Sequence, residues 1–142
     1  MKNTRSVNIE MMKNHAKAVV KNTKNSMTIV DLPYKTYRNK KEALKNANYI
    51  LRNTNADFIK IETDLKNVDI VKYLTVNNIK VVSHIGVTPQ KYLDFSKIKS
   101  VGKDNKGSEE LVSLAKMLEI AGSKLIVLEC ISSYTTKKIT EV

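Results

Sequence analysis

Residues 81–90 read Val81-Val82-Ser83-His84-Ile85-Gly86-Val87-Thr88-Pro89-Gln90, and the fold is read outward from this stretch. Ile79, Val81 and Val82 start it as a buried strand, and Gly86 and Pro89 then break regular structure, so His84 is delivered where a strand leaves its sheet. A strand followed by a short loop shaped by Gly and Pro is the kind of rim at which α/β proteins carry their chemistry. The apolar run predicts a strand over residues 80–84. Three more strands end similarly: residues 27–30 run into Asp31-Leu32-Pro33, and Phe58–Glu62 and Leu125–Glu129 each end on a carboxylate.

Helical spacing fills the gaps. Over residues 8–22, Ile9, Met12, Ala16, Val19 and Val20 form one apolar face; over 39–52, Ala43, Ala47, Tyr49, Ile50 and Leu51 form another, with Asn39 as N-cap. Val68–Val76 is a third helix. Residues 92–107 mix Lys, Asp, Ser and Gly and read as an irregular excursion, after which Ser108 is expected to cap a helix opening on Glu109-Glu110, with Leu111, Leu114, Met117 and Leu118 as its stripe and Gly122 as its stop. A last amphipathic piece covers 133–142. Alternating strands and helices predict an α/β chain with a parallel sheet and right-handed crossovers, and near-continuous apolar strands suit a sheet covered on both faces. With no linker or repeat, residues 1–142 form a single domain. The pattern leaves open whether the sheet is open or part of a closed (β/α)8 barrel.

Composition narrows the function classes. The net charge of +11 invites a nucleic-acid reading, but 25 cations that are almost all lysine, with only Arg5, Arg38 and Arg52 as arginine, are scattered along the chain, whereas phosphate and base recognition favours the guanidinium fork. Solvated lysine-rich faces account for the charge. No apolar run approaches a membrane span and residues 1–14 lack a leader's apolar core, so a cytoplasmic chain is expected. The single cysteine, Cys130, sits in an apolar run and is expected to pack as a small hydrophobe.

Asp31, Glu62, His84 and Glu129 close the four strands, each two residues after Ile29, Lys60, Val82 or Val127 on the same face. If the strands are parallel neighbours, three carboxylates, a histidine and Lys60 converge above the carboxyl edge. Carboxylates brought together need a cation, and hard oxygen ligands suit Mg2+. Each residue also has a plainer use: Asp31 can order the turn before Leu32-Pro33, Glu62 can be surface charge at a helix start, and His84 can be a satisfied core histidine. Glu129, set between Leu125-Ile126-Val127-Leu128 and Cys130-Ile131, is expected to be buried and in need of a partner.

Asn14-His15-Ala16-Lys17-Ala18-Val19, Val30-Asp31-Leu32-Pro33-Tyr34, Ile59-Lys60-Ile61-Glu62, His84 to Gln90 and Ile126-Val127-Leu128-Glu129-Cys130, with a looser match in the helix of Glu42-Ala43-Leu44 and Ala47, follow one another in an order that resembles the ketopantoate hydroxymethyltransferase family. It implies a TIM (β/α)8 barrel, of which this chain holds about four strands. It also implies transfer of a hydroxymethyl group from 5,10-methylenetetrahydrofolate to the keto acid 3-methyl-2-oxobutanoate through a Mg-stabilised enolate, giving 2-dehydropantoate for pantothenate synthesis. Asp31 and Glu62 would then be Mg2+ ligands, Glu129 the general base, and Lys60 and His84 contacts to the keto acid.

The departures set further expectations. A (β/α)8 barrel takes about 250 residues. Missing are the family's first two strands, with a Gly-Asp-Ser segment that supplies another metal-binding aspartate, and its later strands with a Gly-Ile-Gly-Ala-Gly loop. Thr63-Asp64 stands where the family has Gly-Gly, and Phe95-Ser96-Lys97-Ile98 where it has a Gly-Gly-Tyr-Lys loop. A partial barrel leaves edges and one face uncovered, so a homo-oligomer or a complementing chain is expected. The other two readings are a catalytically silent remnant of this enzyme and a lysine-rich nucleic-acid-binding module.

Overall fold

A computed structural model describes residues 4–92, 94, 96 and 98–141. A 3-10 turn, Thr4–Ser6, precedes α1 (Ile9–Asn22), β1 (Ile29–Asp31), α2 (Lys40–Thr54), β2 (Phe58–Glu62), α3 (Val68–Val76), β3 (Val81–Gly86), α4 (Asn105–Ile120), β4 (Leu125–Glu129) and α5 (Ser133–Thr140), with a second 3-10 turn, Pro89–Lys91, after β3. Phe95 and Lys97 of the substituted loop, and Val142 at the end of the last helical piece, lie outside the described residues. No helix among the described residues is long and apolar enough to cross a membrane.

The four strands form one parallel sheet in the order β1-β2-β3-β4, each pairing with the next in sequence. Period-two alternation then divides the side chains. Val30, Ile59, Ile61, Val81 and Ile85 point to one face and join Ala43, Ala47, Ile50, Ile70, Val71, Leu74, Leu114 and Leu118 of the helices in a single core. Ile29, Lys60, Glu62, Val82, His84, Val127 and Glu129 point to the other, and that core takes in none of them. So the helices cover one face of the sheet only; on the other, the outer strands expose Ile29, Leu125 and Val127, while Val82 and His84 of β3 are buried. A doubly wound sheet reverses its strand order and carries helices on both faces; sequential order with all helices on one side is the arrangement of a (β/α)8 barrel segment.

The boundaries differ from the sequence reading where local bonds decide. β1 starts at Ile29 because Asp57 Oδ2 takes both Thr28 N (2.7 Å) and Thr28 Oγ1 (2.9 Å), fixing the entry, while Met27 stays exposed. β3 continues past His84 to Gly86 because β4 pairs alongside it, so His84 sits two residues inside its strand instead of closing it. Helix α4 is capped by Asp104, whose Oδ1 accepts from Gly107 N at 2.8 Å. Ser108 lies one turn in and fully buried. Asn8 and Asn39 cap α1 and α2 through their side chains.

Candidate active site

The ladder places the ionisable side chains by register. Asp31 pairs with Lys60, Glu62 with His84, and Gly86 with Glu129, so all five groups stand on the uncovered face at the carboxyl edge. Four of them meet in two pairs, with Glu62 in neither. Lys60 Nζ lies 2.9 Å from Asp31 Oδ2, and His84 Nε2 lies 3.2 Å from Glu129 Oε2.

Gly86 explains how β3 and β4 come so close at Glu129. Its φ is +98°, and a Cβ there would stand 2.2 Å from the Glu129 carbonyl oxygen, which accepts from Val87 N at 2.9 Å. Only glycine fits. The glycine of the opening stretch therefore sets the distance between the strands that carry His84 and Glu129.

Burial sorts the charge states. His84 is 2% exposed, and burial, reinforced by the Lys60 ammonium, depresses its imidazolium against the opposing pull of Glu129. The ring is therefore neutral at pH 7, and its 3.2 Å approach to Glu129 is not an ion pair. Neither ring nitrogen meets hydrogen-bond geometry with a partner among the described residues. Glu129 itself is not buried as the sequence suggests; its side chain is 41% exposed, because β4 is an outer strand of this sheet. Cys130 is exposed for the same reason and does not pack as a core thiol.

Glu62 is buried, and burial raises its pKa while the Gln90 N–H and the Lys60 charge oppose this. No ion pair involves it among the described residues. Gln90 N donates to both of its oxygens, at 3.0 and 3.2 Å. Among the described residues no group of three or more His, Cys, Asp or Glu could hold a metal ion. Asp31 and Glu62 supply two carboxylates from neighbouring strands, and the Asp31 charge reaches Glu62. Two carboxylates suffice for Mg2+, which keeps water or substrate oxygens in its other positions, and the buried, unpaired Glu62 is a fitting donor.

The sequence reading missed Gln90 and Tyr37. Gln90 is buried, its Nε2 donates to Leu32 O at 3.0 Å, and its Oε1 accepts from Tyr37 Oη at 2.8 Å. The signal for Gln90 was its place beside Pro89 in the opening stretch. Tyr37 had none. Thr63 and Asp64 build their loop without glycine: Thr63 N and Oγ1 both donate to His84 O, and Lys91 Nζ pairs with Asp64 Oδ2 at 2.7 Å.

Comparison with known proteins identifies the lineage. A family model described as ketopantoate hydroxymethyltransferase matches residues 1–142. The 3-methyl-2-oxobutanoate hydroxymethyltransferase of Pelagibacter ubique is 42% identical over 138 residues, covering 97% of this chain and 52% of the relative. Those of Aliarcobacter butzleri and Buchnera aphidicola are each 41% identical over 138 residues, covering 97% of this chain and 51% and 52% of the relatives. The chain spans about half the length of the curated relatives it matches. With its four parallel strands and its helices on one face, it belongs to the ketopantoate hydroxymethyltransferase family.

Proposed function

We propose that this chain provides one half of a barrel that transfers a hydroxymethyl group from 5,10-methylenetetrahydrofolate to 3-methyl-2-oxobutanoate. The observation that carries the reading is the convergence of Asp31, Lys60, Glu62, His84 and Glu129 on one face at the carboxyl edge of a sheet from this family. The other half is a segment equivalent to the part of the relatives that this chain lacks. What supports that occupant is the halved length, together with Ile29, Leu125 and Val127, which are exposed on the uncovered face of the two outer strands.

In this reading Asp31 and Glu62 hold Mg2+, which when bound supplies Lewis-acid charge that acidifies the proton at C3 of the keto acid. Glu129, part-exposed and beside the neutral ring of His84, takes that proton on its carboxylate. Negative charge then develops on the keto acid. Lys60 offers the ammonium that faces it, and His84, neutral and with two nitrogens to satisfy, donates from its N–H. The carbon nucleophile so formed bonds to the one-carbon unit of the folate, whose carbon–nitrogen bonds break, with water supplying the hydroxyl oxygen and tetrahydrofolate leaving.

Loss of deuterium-free signal from C3 tests this without folate. With a divalent cation, the protein is expected to exchange the C3 proton of 3-methyl-2-oxobutanoate into deuterated water, and Glu129→Gln to slow exchange by about 10²–10⁴-fold. An exchange rate that Glu129→Gln leaves untouched overturns the assignment of the base. No cation-dependent exchange at all, by this chain alone or with the complementary half added, overturns the function and favours a silent remnant.

A further inference from the structure

Gln90 is joined to four other segments through its main-chain and side-chain polar atoms. Its N–H donates to the Glu62 carboxylate on β2, its Nε2 to the carbonyl of Leu32 directly after Asp31 on β1, and its Oε1 accepts from Tyr37 in the loop before α2. Its own carbonyl accepts from Arg5 Nε at 2.8 Å, and the next carbonyl, of Lys91, accepts from Arg5 Nη2 at 2.9 Å. The 3-10 turn Pro89–Lys91 holds these atoms in place, since Lys91 N donates to Thr88 O and Tyr92 N to Pro89 O. The amide can face only one way: Tyr37 keeps its proton, because burial and the Glu62 charge both raise its pKa, so Oε1 must be the acceptor and Nε2 the donor to Leu32.

The need for such a brace follows from the sheet. β1 is three residues long and pairs only with β2, so the ladder restrains Asp31 from one side. Gln90 reaches it from the loop after β3, crossing over β2, and grips Glu62 on the way. Its two bonds thus fix the ends of β1 and β2 relative to each other, at the residues that carry the two carboxylates.

We propose that Gln90 is a positioning residue that sets the separation of Asp31 and Glu62 for a shared divalent cation, and that Arg5, from the segment before α1, locks Gln90 in that position. This rests on the reading of Asp31 and Glu62 as cation ligands. Partners of ligating carboxylates commonly matter about 10–100-fold in metal affinity, because ligands must be held within about 0.5 Å of productive geometry.

Binding of Mn2+ to the full chain, followed by the loss of the free-ion electron paramagnetic resonance signal, tests it. The wild-type chain is expected to bind one Mn2+, and Asp31→Asn to abolish binding. Gln90→Met, which keeps the length and removes both side-chain bonds, is expected to raise Kd tenfold or more with stoichiometry unchanged. Gln90→Glu, which still accepts from Tyr37 but sets an acceptor against Leu32 O, is expected to do the same, and Arg5→Ala to raise Kd by a smaller factor. A purely structural role would lower the bound stoichiometry and the melting temperature while leaving Kd of the folded fraction alone. A wild-type Kd in Gln90→Met, with Asp31→Asn still abolishing binding, overturns the proposal and leaves the ligand reading standing. No binding by the wild type, or no effect of Asp31→Asn, overturns both. If Gln90→Met does not fold, Tyr37→Phe and Arg5→Ala decide: an unchanged Kd in both overturns the proposal.

Discussion

The two faces of the sheet, made by the same four strands, differ in nearly everything but their backbone. The covered face is aliphatic and closed: Ile59, Ile61, Val81 and Ile85 are all within 1% of full burial against the helices. The open face carries Asp31, Lys60, Glu62, His84 and Glu129, and leaves Ile29 and Leu125 each 44% exposed. Alternation along a strand is what lets one segment serve both, so that Ile61 is core while Lys60 and Glu62 on either side are site. The covered face holds the core of this chain, and the open face carries the five ionisable groups on which the proposed chemistry rests.

The largest expected effect divides the faces directly. Ile61→Ala should cost about 2–5 kcal/mol, since it empties a methylene-rich space that packed neighbours cannot fill. Leu125→Ala, which removes a similar side chain from the open face, should cost the isolated chain less than about 1 kcal/mol. Urea unfolding of both variants measures the contrast, and equal costs would mean that the open face is already covered, most simply by a second copy. Gel filtration of the wild type then reads the same point: a dye-silent, monodisperse monomer breaks the view of an uncovered face.

How much of this the sequence disclosed follows the same division. Phe58–Glu62, Val68–Val76 and Leu125–Glu129 are found at the bounds the sequence suggests, because each is a short apolar run between clear breakers. The parallel order followed from the alternation of elements. Coverage of both faces by helices, inferred from apolar strands, did not survive, since the helices of this chain all pack against one face. The candidate site residues were legible as strand-end residues two positions after Ile29, Lys60, Val82 and Val127, and the structure brings them to one face. What stayed hidden had two causes: the bonds of Gln90 to Glu62, Leu32, Tyr37 and Arg5 join residues distant in sequence, whereas the start of α4 at Asp104 rests on a local cap bond from Gly107 N that the choice of Ser108 passed over. The burial of Glu129 failed because it was inferred from flanking apolar residues, while β4 lies on the outside of this sheet.

A smaller effect comes from the histidine buried on the open face. The unfolded chain protonates His84 below its ordinary value of 6.5, while burial keeps the folded ring neutral to lower pH. The unfolded state therefore binds more protons over that window, and stability must fall as pH drops below 6.5. Glu62, whose folded pKa is raised above 4.5, works in the opposite sense nearer its own range, so the His84 effect is clearest above about pH 5. Melting temperatures measured from pH 7 down to about 5 should decline in the wild type and decline less in His84→Gln. Equal slopes would show that His84 is as open to protons as the rest of that face.

The smallest expected effect concerns strain at the rim. Cys130 follows Glu129 with φ at +51°, a left-handed conformation that a side chain other than Gly, Asn or Asp adopts at a cost of about 1–2 kcal/mol. It is held there from both sides, since Val87 N binds the Glu129 carbonyl and Val101 N binds that of Cys130 at 2.9 Å. Asn55 and Asn78 have similar angles, +59° and +63°, but occupy turns that follow α2 and α3, and asparagine tolerates them. Cys130→Gly should therefore stabilise the chain, by less than about 1 kcal/mol once the greater freedom of glycine in the unfolded state is subtracted, and Asn55→Gly should gain less. Differential scanning calorimetry can resolve that difference as a few degrees in Tm. If Asn55→Gly gains as much, the strain is shared by turns on both sides of the sheet. If only Cys130→Gly gains, it is concentrated where Glu129 leaves β4, and the same variant should slow C3 exchange if that strained turn is what aims the base.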